Sequence, residues 1–183
     1  QVAWPPTECP IPGEFRKSFN LGKAFAIARQ DDDTVPARPA DFTLDKTDGL
    51  FPVAYRAKLG DSDDIAGNIH LGWDGDSLLI FARVRDDRHF NVQKGIDIWN
   101  GDCLQIAVNS PRGDLHNVAL ALTSGGVEAW VYDGADILAE KNFKGEVVRN
   151  EAAGETTYYL RLPLAFLGIA PRPGSILSFN ANL

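Results

Sequence analysis

The polar and aromatic residues with the clearest binding chemistry lie in the middle of the chain, between Asp102 and Tyr132. Apolar side chains recur there at every second position, which is the spacing of β-strands that bury one face. The opposite face holds amides, a carboxylate, alanines and aromatic rings: Gln105, Ala107, Asn109, Asn117, Ala119, Ala121, Glu128, Trp130 and Tyr132, with Tyr159 and Arg161 from a later strand. Such a face can form directional hydrogen bonds and offers flat apolar surfaces to a ligand.

These side chains match the chemistry of a sugar. A sugar presents polar hydroxyl edges together with an apolar C–H face, so a carbohydrate is the ligand that this mixture predicts. The prediction requires neighbouring strands in one register, because a slip of one residue would turn the polar positions inward. In the alternative interpretation, Trp130 and Tyr132 pack beneath a loop and take no part in binding.

The sequence does not contain the motifs of the common enzyme classes. There is no GxSxG, no HExxH and no Walker-type loop. The three histidines, His70, His89 and His116, are isolated from one another, and no pair of carboxylates stands out as an acid and a base. We therefore predict that the chain is not an enzyme.

Length and charge limit the possible partners. A chain of 183 residues is long enough for one domain with a sizeable core. The net charge of -7 disfavours nucleic acid and anionic membranes, and no apolar run approaches the roughly 20 residues that span a bilayer. Because the chain starts at Gln1 rather than Met, we expect it to be cut from a longer protein, by signal-peptide removal or as an excised module.

Acidic turns are the candidate metal sites. Asp61, Asp63 and Asp64 precede one predicted strand, and Asp86 and Asp87 follow the next. Carboxylates brought together in this way could bind calcium. Asp is also a common turn residue, so an ordinary turn is the alternative interpretation. The acidic run 31–33 allows the same choice between a calcium site and a solvated loop. The two cysteines, Cys9 and Cys103, either form one disulfide or remain unreactive thiols.

The order of predicted elements indicates an all-β fold. Residues 1–14 form a Pro-rich, extended arm, and residues 15–183 form a single domain. We predict strands within 22–29, 42–58, 66–73, 78–85, 102–109, 116–124, 127–132, 142–150, 156–162 and 176–182. Short strands joined by Gly, Asp and Asn turns, such as the Asp74-Gly75 hairpin turn, favour an antiparallel β-sandwich of the jelly-roll type.

Three segments of the chain resemble carbohydrate-binding module family 9. They are LGWDGDSLLIFARVRDDRH, IWNGDCLQIAVN and YYLRLPLAFLGIAPRPGSILSFN, which lie in the family's order within residues 66–183. The resemblance implies a jelly-roll β-sandwich, often with structural calcium, that is attached to extracellular glycan-degrading enzymes. Because the family usually continues beyond the position of Leu183, we expect the domain to be truncated at its carboxyl end.

The resemblance also assigns roles to individual residues. In sugar-binding members two tryptophans sandwich a terminal sugar, and Trp99 matches the first of them. Gln105 occupies the position of a glutamate that hydrogen-bonds the sugar, and Asp86 matches an acidic residue that is a calcium ligand candidate. The second tryptophan belongs to the segment that this chain lacks, and Trp130 is a substitute that the resemblance does not assign. Alternatively, Trp99 only closes the edge of the sandwich.

We therefore predict a non-catalytic carbohydrate-binding module of a secreted, extracellular or periplasmic protein. Its partners would be an oligosaccharide or polysaccharide and the catalytic domain of the parent protein, and nucleic acid and membrane are excluded. The predicted sugar-binding residues are Trp99, Gln105, Asn109, Trp130 and Tyr132, and the predicted calcium ligands are Asp63, Asp86 and Asp87.

Two other functions stay open at this point. The fold is similar to DOMON-type haem and electron-transfer domains, in which the ligand would be one of the three histidines, because the chain has no methionine. His70 and His116 have opposite parity relative to the core residues of their strands, which argues against a shared pocket. The remaining alternative is a structural accessory domain without a ligand.

Overall fold

The computed structural model describes residues 28–29, 36, 39–45, 65–110, 113–132, 143–170 and 177–183. These residues form ten strands: β1 (Ala28–Arg29), β2 (Phe42–Asp45), β3 (Ile65–Trp73), β4 (Ser77–Asp86), β5 (Cys103–Asn109), β6 (Leu115–Thr123), β7 (Gly126–Val131), β8 (Lys144–Asn150), β9 (Glu155–Pro163) and β10 (Ser178–Asn182). The described residues also form two short 3₁₀ helices, Gly95–Asn100 and Glu151–Ala153.

The strands form two sheets. The first sheet has the order β1-β3-β4-β9-β8, with β2 also paired to β3, and the second has the order β10-β5-β6-β7. Every pairing is antiparallel except the two-residue pairing of β1 with β3. The predicted antiparallel β-sandwich is therefore confirmed.

Apolar side chains from the inner faces of both sheets form one core. Ile80 and Leu160 of the first sheet and Leu104 and Leu120 of the second are completely buried within it. Each fully buried side chain of this size contributes about 1.5–3 kcal/mol through the removal of apolar surface from water. The apolar alternation of the sequence therefore identified the inner face of each of these strands.

The turn between β3 and β4 has the predicted Asp-Gly geometry. Gly75 has a φ of 107°, a region that favours glycine, and Asp74 Oδ1 accepts a hydrogen bond from Ser77 N at 3.1 Å. The guanidinium of Arg161 on β9 pairs with Asp74 and, at 3.1 Å, with Asp76. The turn is thus attached to a strand that lies about 85 residues later in the chain.

Asp41 completes one edge of β3. Strand β2 pairs with residues 66–69 of β3, whereas β1 pairs with Gly72 and Trp73. Between these two stretches, Asp41 Oδ2 accepts a hydrogen bond from Leu71 N at 2.7 Å. A carboxylate side chain therefore takes the place of a backbone carbonyl in the ladder.

We expect Asp41→Ala to lower the free energy of unfolding by about 1.5–3 kcal/mol, because Leu71 N loses a charged acceptor. Urea unfolding measures this change. The control is Asp97→Ala, which removes an exposed carboxylate from a loop. Equal stability of the two variants would contradict the role assigned to Asp41.

Several predictions lie outside the described residues. They are the arm 1–14, Cys9, the strand residues 22–27 and 51–58, Asp63 and the acidic run 31–33. Within the described part of the chain, no helix has the length and apolar character to cross a membrane.

Candidate functional site

The outer face of the second sheet brings together the side chains whose alternation the sequence showed. Gln105 lies opposite Ala119, which in turn lies opposite Trp130, and Ala107 lies opposite Asn117. Tyr132 follows β7 directly and donates its backbone N–H to Asn117 O at 3.1 Å. Directly opposed residues of an antiparallel pair share a face. The three strands are therefore neighbours in the register that the carbohydrate prediction required.

A fourth strand adds residues that the sequence did not assign to this face. On β10, Asn180 lies opposite Ala107 and Asn182 lies opposite Gln105, while Phe179 and Ala181 pack against the core. We call the whole surface the amide face: Gln105, Ala107, Asn109, Asn117, Ala119, Trp130, Tyr132, Asn180 and Asn182. The alternation of Phe179 and Ala181 with two asparagines was the sequence signal for this strand face.

The sequence grouped Tyr159 and Arg161 with these residues, and the structure corrects that prediction. Both belong to β9, which lies in the first sheet. The ring of Tyr159 packs against Phe81, with ring centroids 4.9 Å apart, in a separate apolar cluster that includes Leu79. Alternation shows which residues share one side of a strand, but it does not show to which sheet the strand belongs.

Two polar atoms of the amide face are buried without a partner. They are the side-chain oxygen of Asn109 and the hydroxyl of Tyr132, neither of which has a hydrogen bond within the described structure. A buried polar atom without a partner costs about 1–3 kcal/mol. Burial also raises the pKa of Tyr132, so its hydroxyl keeps its proton and can donate a hydrogen bond at neutral pH. Each of these two atoms therefore has the capacity for a further hydrogen bond.

Residues 88–102, which we call the covering loop, lie over one end of this sheet. Ile98 is completely buried and packs with Cys103, Ala119 and Ala121, and Trp130 and Tyr132 pack against this cluster. The alternative in which Trp130 and Tyr132 pack beneath a loop therefore describes part of what is observed. Both rings nevertheless remain partly exposed.

Asn91 is the internal support of the covering loop. Asn91 is 5% exposed. Its Nδ2 donates hydrogen bonds to Ile98 O at 2.8 Å and to Asp102 O at 3.2 Å. Its backbone carbonyl accepts a hydrogen bond from Ser124 N at 3.1 Å. The buried amide therefore joins both halves of the loop to each other and to the end of β6.

Glu128 attaches the covering loop to β6 and β7. Its carboxylate accepts hydrogen bonds from Gly95 N at 2.8 Å, from Thr123 Oγ1 at 2.9 Å and from Trp130 Nε1 at 3.3 Å. With three donors on its two oxygens, this carboxylate is engaged in holding the loop. The contact also keeps the Trp130 ring close beneath Gly95, where a Cβ would lie 3.5 Å from Trp130 Cζ2.

Trp99 stands on the exposed side of the covering loop and is 40% exposed. Residues three apart in a 3₁₀ helix lie on the same side, so Trp99 and the exposed Ile96 are neighbours. Phe90 and Val92, on either side of the buried Asn91, are also exposed. The residue buried against the sheet is Ile98, which makes Trp99 available for a ligand.

The structure describes two of the three predicted calcium ligands, Asp86 and Asp87. Asp86 ends β4, where its Oδ1 accepts a hydrogen bond from Arg88 N at 3.0 Å, and Asp87 next to it is exposed. Burial raises the pKa of Asp86, and the nearby carboxylates of Asp102 and Asp87 raise it further. Among the described residues no group of three or more His, Cys, Asp or Glu side chains is arranged to hold a metal ion.

The three histidines lie in different places. His70 is opposite Phe81 on the outer side of β3, whereas the ring of His116 lies 4.7 Å from that of Phe166, which packs against the core. His89 Nε2 is 2.8 Å from Leu122 O, in the covering loop. The opposite parity of His70 and His116 is confirmed, so these two residues do not flank one pocket.

Cys103 is a free thiol that is 3% exposed beneath Ile98. Burial raises its pKa to about 12. The thiol is therefore protonated at neutral pH and has low reactivity while the loop is in place.

Comparison with known proteins finds similarity in solved structures only at low sequence identity. Neither a protein-family model nor a curated protein matches the chain. Two structures of a carbohydrate binding module family 9 from Caldicellulosiruptor kristjanssonii, one in complex with glucose and one with cellotriose, are each 18% identical to it with a TM-score of 0.46. Each match covers 63% of this chain. The chain spans little more than half the length of the two solved chains, 56% of the first and 55% of the second.

Proposed function

We propose that this chain is a non-catalytic carbohydrate-binding module whose amide face binds the hydroxyl groups of a sugar. The proposal depends on one observation, the buried and unpartnered oxygens of Asn109 and Tyr132 on a face rich in amides. One sugar hydroxyl can donate to Asn109 Oδ1 and another can accept from the Tyr132 hydroxyl, which satisfies both atoms. Gln105 and Asn117 add further donors and acceptors on the same face.

Two tryptophans, Trp130 on the amide face and Trp99 on the covering loop, provide the apolar part of the proposed recognition. Trp130 is partly exposed beside Ala119, and Trp99 is exposed on the covering loop. An indole ring packs well against the C–H face of a pyranose because both surfaces are flat and apolar. We assign Trp99 and Trp130 to this contact, and Gln105, Asn109 and Tyr132 to the hydroxyl groups.

The same geometry supports a binding role rather than a catalytic one. Glu128 is a carboxylate beside the amide face, and its oxygens accept hydrogen bonds from Gly95, Thr123 and Trp130. A general acid or base has to reach the substrate, whereas this group is occupied by the protein itself. We propose further that the module serves a secreted, extracellular or periplasmic glycan-degrading protein and acts beside its catalytic domain.

Binding to soluble sugars tests the proposed function. Isothermal titration calorimetry with glucose and cellotriose, preceded by a glycan array of wider composition, should show saturable binding. NMR spectra of the bound protein should show shifted signals at the side-chain amides of Gln105, Asn109 and Asn117. Retention of no sugar by a correctly folded protein would refute the proposal.

We expect Tyr132→Phe to weaken sugar binding about fivefold, which corresponds to the net value of about 1 kcal/mol for one hydrogen bond. Thermal stability should not decrease, because the change removes a buried hydroxyl that has no partner. The matched control is Tyr158→Phe, which removes the same atom from the interior of the sandwich. An affinity that falls equally in both variants would contradict a direct role for the Tyr132 hydroxyl.

We also propose a structural calcium ion at Asp86 and Asp87, with Asp63 as a further ligand. The carboxylates of Asp102 and Asp87 lie near Asp86 and raise its pKa, while the guanidinium of Arg149 lowers it. Carboxylate oxygens are the ligands that calcium prefers. Asp86 and Asp87 supply two carboxylates, so further ligands are needed to complete the site.

We expect added calcium to raise the melting temperature of the protein and Asp86→Asn to remove this effect.

In the metal-free protein the raised pKa of Asp86 means that the native state binds this proton more tightly than the unfolded chain does. Stability should therefore fall as the pH rises from the ordinary pKa of 3.8 through the raised value, and Asp86→Asn should flatten that fall. Calorimetry at several pH values, with and without chelator, measures both. An unchanged melting temperature with calcium would exclude the site.

A further inference from the structure

We infer that the outer surface of the covering loop is a second carbohydrate-binding surface, which adsorbs to the flat face of an insoluble, uncharged polysaccharide. The inference rests on the proposed function and extends it to a surface apart from the amide face. We call it the loop surface. It consists of four exposed apolar side chains, Phe90, Val92, Ile96 and Trp99.

Exposed apolar side chains are concentrated on the covering loop. Of the six large hydrophobic residues that are exposed in the described part of the chain, four form the loop surface. The other two, Leu115 and Val148, belong to β6 and β8. Single apolar residues scattered over a surface need no explanation, whereas four of them on one loop indicate a binding surface.

The loop surface lies on the side of the loop that faces away from the sheet. Phe90 and Val92 flank Asn91, which is buried and donates from Nδ2 to Ile98 O at 2.8 Å. Ile98 in turn packs against the outer face of the second sheet. The other two members are three residues apart in the 3₁₀ helix and therefore share one side of it. The buried residues thus anchor the loop, and their exposed neighbours are presented to solvent.

Hydrogen bonds hold the loop surface in place. Phe90 N donates to the carboxylate of Asp102, and Phe90 O accepts a hydrogen bond from Asp102 N at 3.1 Å. Gln93 N, next to Val92, donates to Asn91 Oδ1 at 3.0 Å. A surface that is already ordered loses little conformational entropy on binding, so these side chains are preorganised for a rigid ligand.

The size of the loop surface favours a polysaccharide over a protein. Because a whole aromatic side chain has about 150–250 Å² of surface, the four partly exposed side chains offer on the order of 400 Å². A specific protein interface takes about 800 Å² from each partner. Two copies of this chain also repel one another, because each has a net charge of -7.

The chemistry of the loop surface also fits an uncharged polysaccharide. The exposed charged residues between its members, Lys94 and Asp97, have opposite signs. Sugar chains packed side by side in a solid present a flat and uncharged C–H surface, against which exposed rings can pack.

The loop surface adjoins the amide face. Gly95 lies against the ring of Trp130 on that face, and the next residue along the chain is Ile96 of the loop surface. Adsorption through the loop surface would therefore keep the amide face close to further sugar chains and raise their effective concentration.

Adsorption to solid polysaccharides tests the inference. The full chain is incubated with microcrystalline cellulose, insoluble xylan or insoluble mannan, and the protein left in the supernatant is measured. We expect saturable adsorption to at least one of these solids.

Variants separate the loop surface from the amide face. Phe90→Ala should weaken adsorption about fivefold, and the double variant Phe90→Ala/Val92→Ala should weaken it further. Both should keep their affinity for soluble oligosaccharides, and circular dichroism verifies their fold. The matched control is Val148→Ala on β8, because Val148 is 63% exposed and Val92 is 53% exposed. This control should change neither adsorption nor affinity.

The outcomes distinguish this inference from the proposed function. If the protein binds soluble oligosaccharides but adsorbs to none of the solids, or if the double variant adsorbs as strongly as Val148→Ala, the inference is overturned while the proposed function stands. A dimer in analytical ultracentrifugation that the double variant dissociates would also overturn it, because the loop surface would then be a protein interface. Adsorption that the double variant loses, without any soluble binding, would support the loop surface and refute the amide face. If neither soluble nor insoluble sugar binds, both proposals fail.

Discussion

Trp99→Ala is expected to weaken oligosaccharide binding about 30-fold or more, because a central aromatic contact is typically worth at least about 2 kcal/mol. The fold should be unaffected. Trp99 is 40% exposed, and the residue that seals the sheet beside it is Ile98. The variant therefore removes an exposed ring and leaves the buried contact of the loop in place.

Titration calorimetry measures the loss, and circular dichroism with thermal unfolding verifies the fold. The matched control is Phe90→Ala, an aromatic residue of the same loop that is 66% exposed. We expect this control to bind sugar with nearly the affinity of the unaltered protein. Equal losses in the two variants would show that the ring of Trp99 has no specific contact with the ligand.

Asn91→Ala is expected to have the second large effect, a destabilisation of about 3 kcal/mol together with loss of sugar binding. The change removes the amide that bonds the carbonyls of Ile98 and Asp102, and Ile98 O keeps only the hydrogen bond from Gly101 N at 3.4 Å. A buried polar group that loses its partner costs about 1–3 kcal/mol. Because the loop also carries Trp99, its displacement should reduce affinity as well as stability.

Gly101→Ala should reproduce this result from the other side of the contact. A Cβ on Gly101 would lie 2.6 Å from Asn91 Cγ and 3.0 Å from Asn91 Cα, so the side chain and the backbone of Asn91 would both have to move. Asn100→Ala, an exposed change next to it, is the control. Urea unfolding and hydrogen exchange of residues 90–102 measure the effect, and normal exchange in Gly101→Ala would contradict the support role of Asn91.

The inner and outer faces of the strands were predictable because burial leaves a direct record in the sequence. Leu104, Ile106 and Val108 alternate with Gln105 and Ala107, and the structure places the first set in the core. Short turns then join β5, β6 and β7 in sequence order, so their register followed from the pattern. The orientation of this part of the amide face required no knowledge of distant contacts.

Long-range pairing was not predictable in the same way. Strand β10 pairs with β5, and β9 pairs with β4, although each pair is far apart in the chain. Alternation carries no information on such partners, which is why Asn180 and Asn182 were missed and Tyr159 was assigned to the wrong sheet. Within the covering loop, the 3₁₀ turn rather than any periodicity determines that Ile98 is buried and Trp99 exposed.

The free thiol of Cys103 gives this protein an internal reporter of loop motion. A thiol reagent can reach it only in molecules in which Ile98 has lifted away from the sheet, because Cys103 is 3% exposed. The labelling rate, followed by mass spectrometry of the peptide that contains Cys103, therefore reports how often the loop opens. A sugar that binds against the closed loop should slow labelling in proportion to its occupancy, and this gives an affinity without calorimetry or an introduced probe.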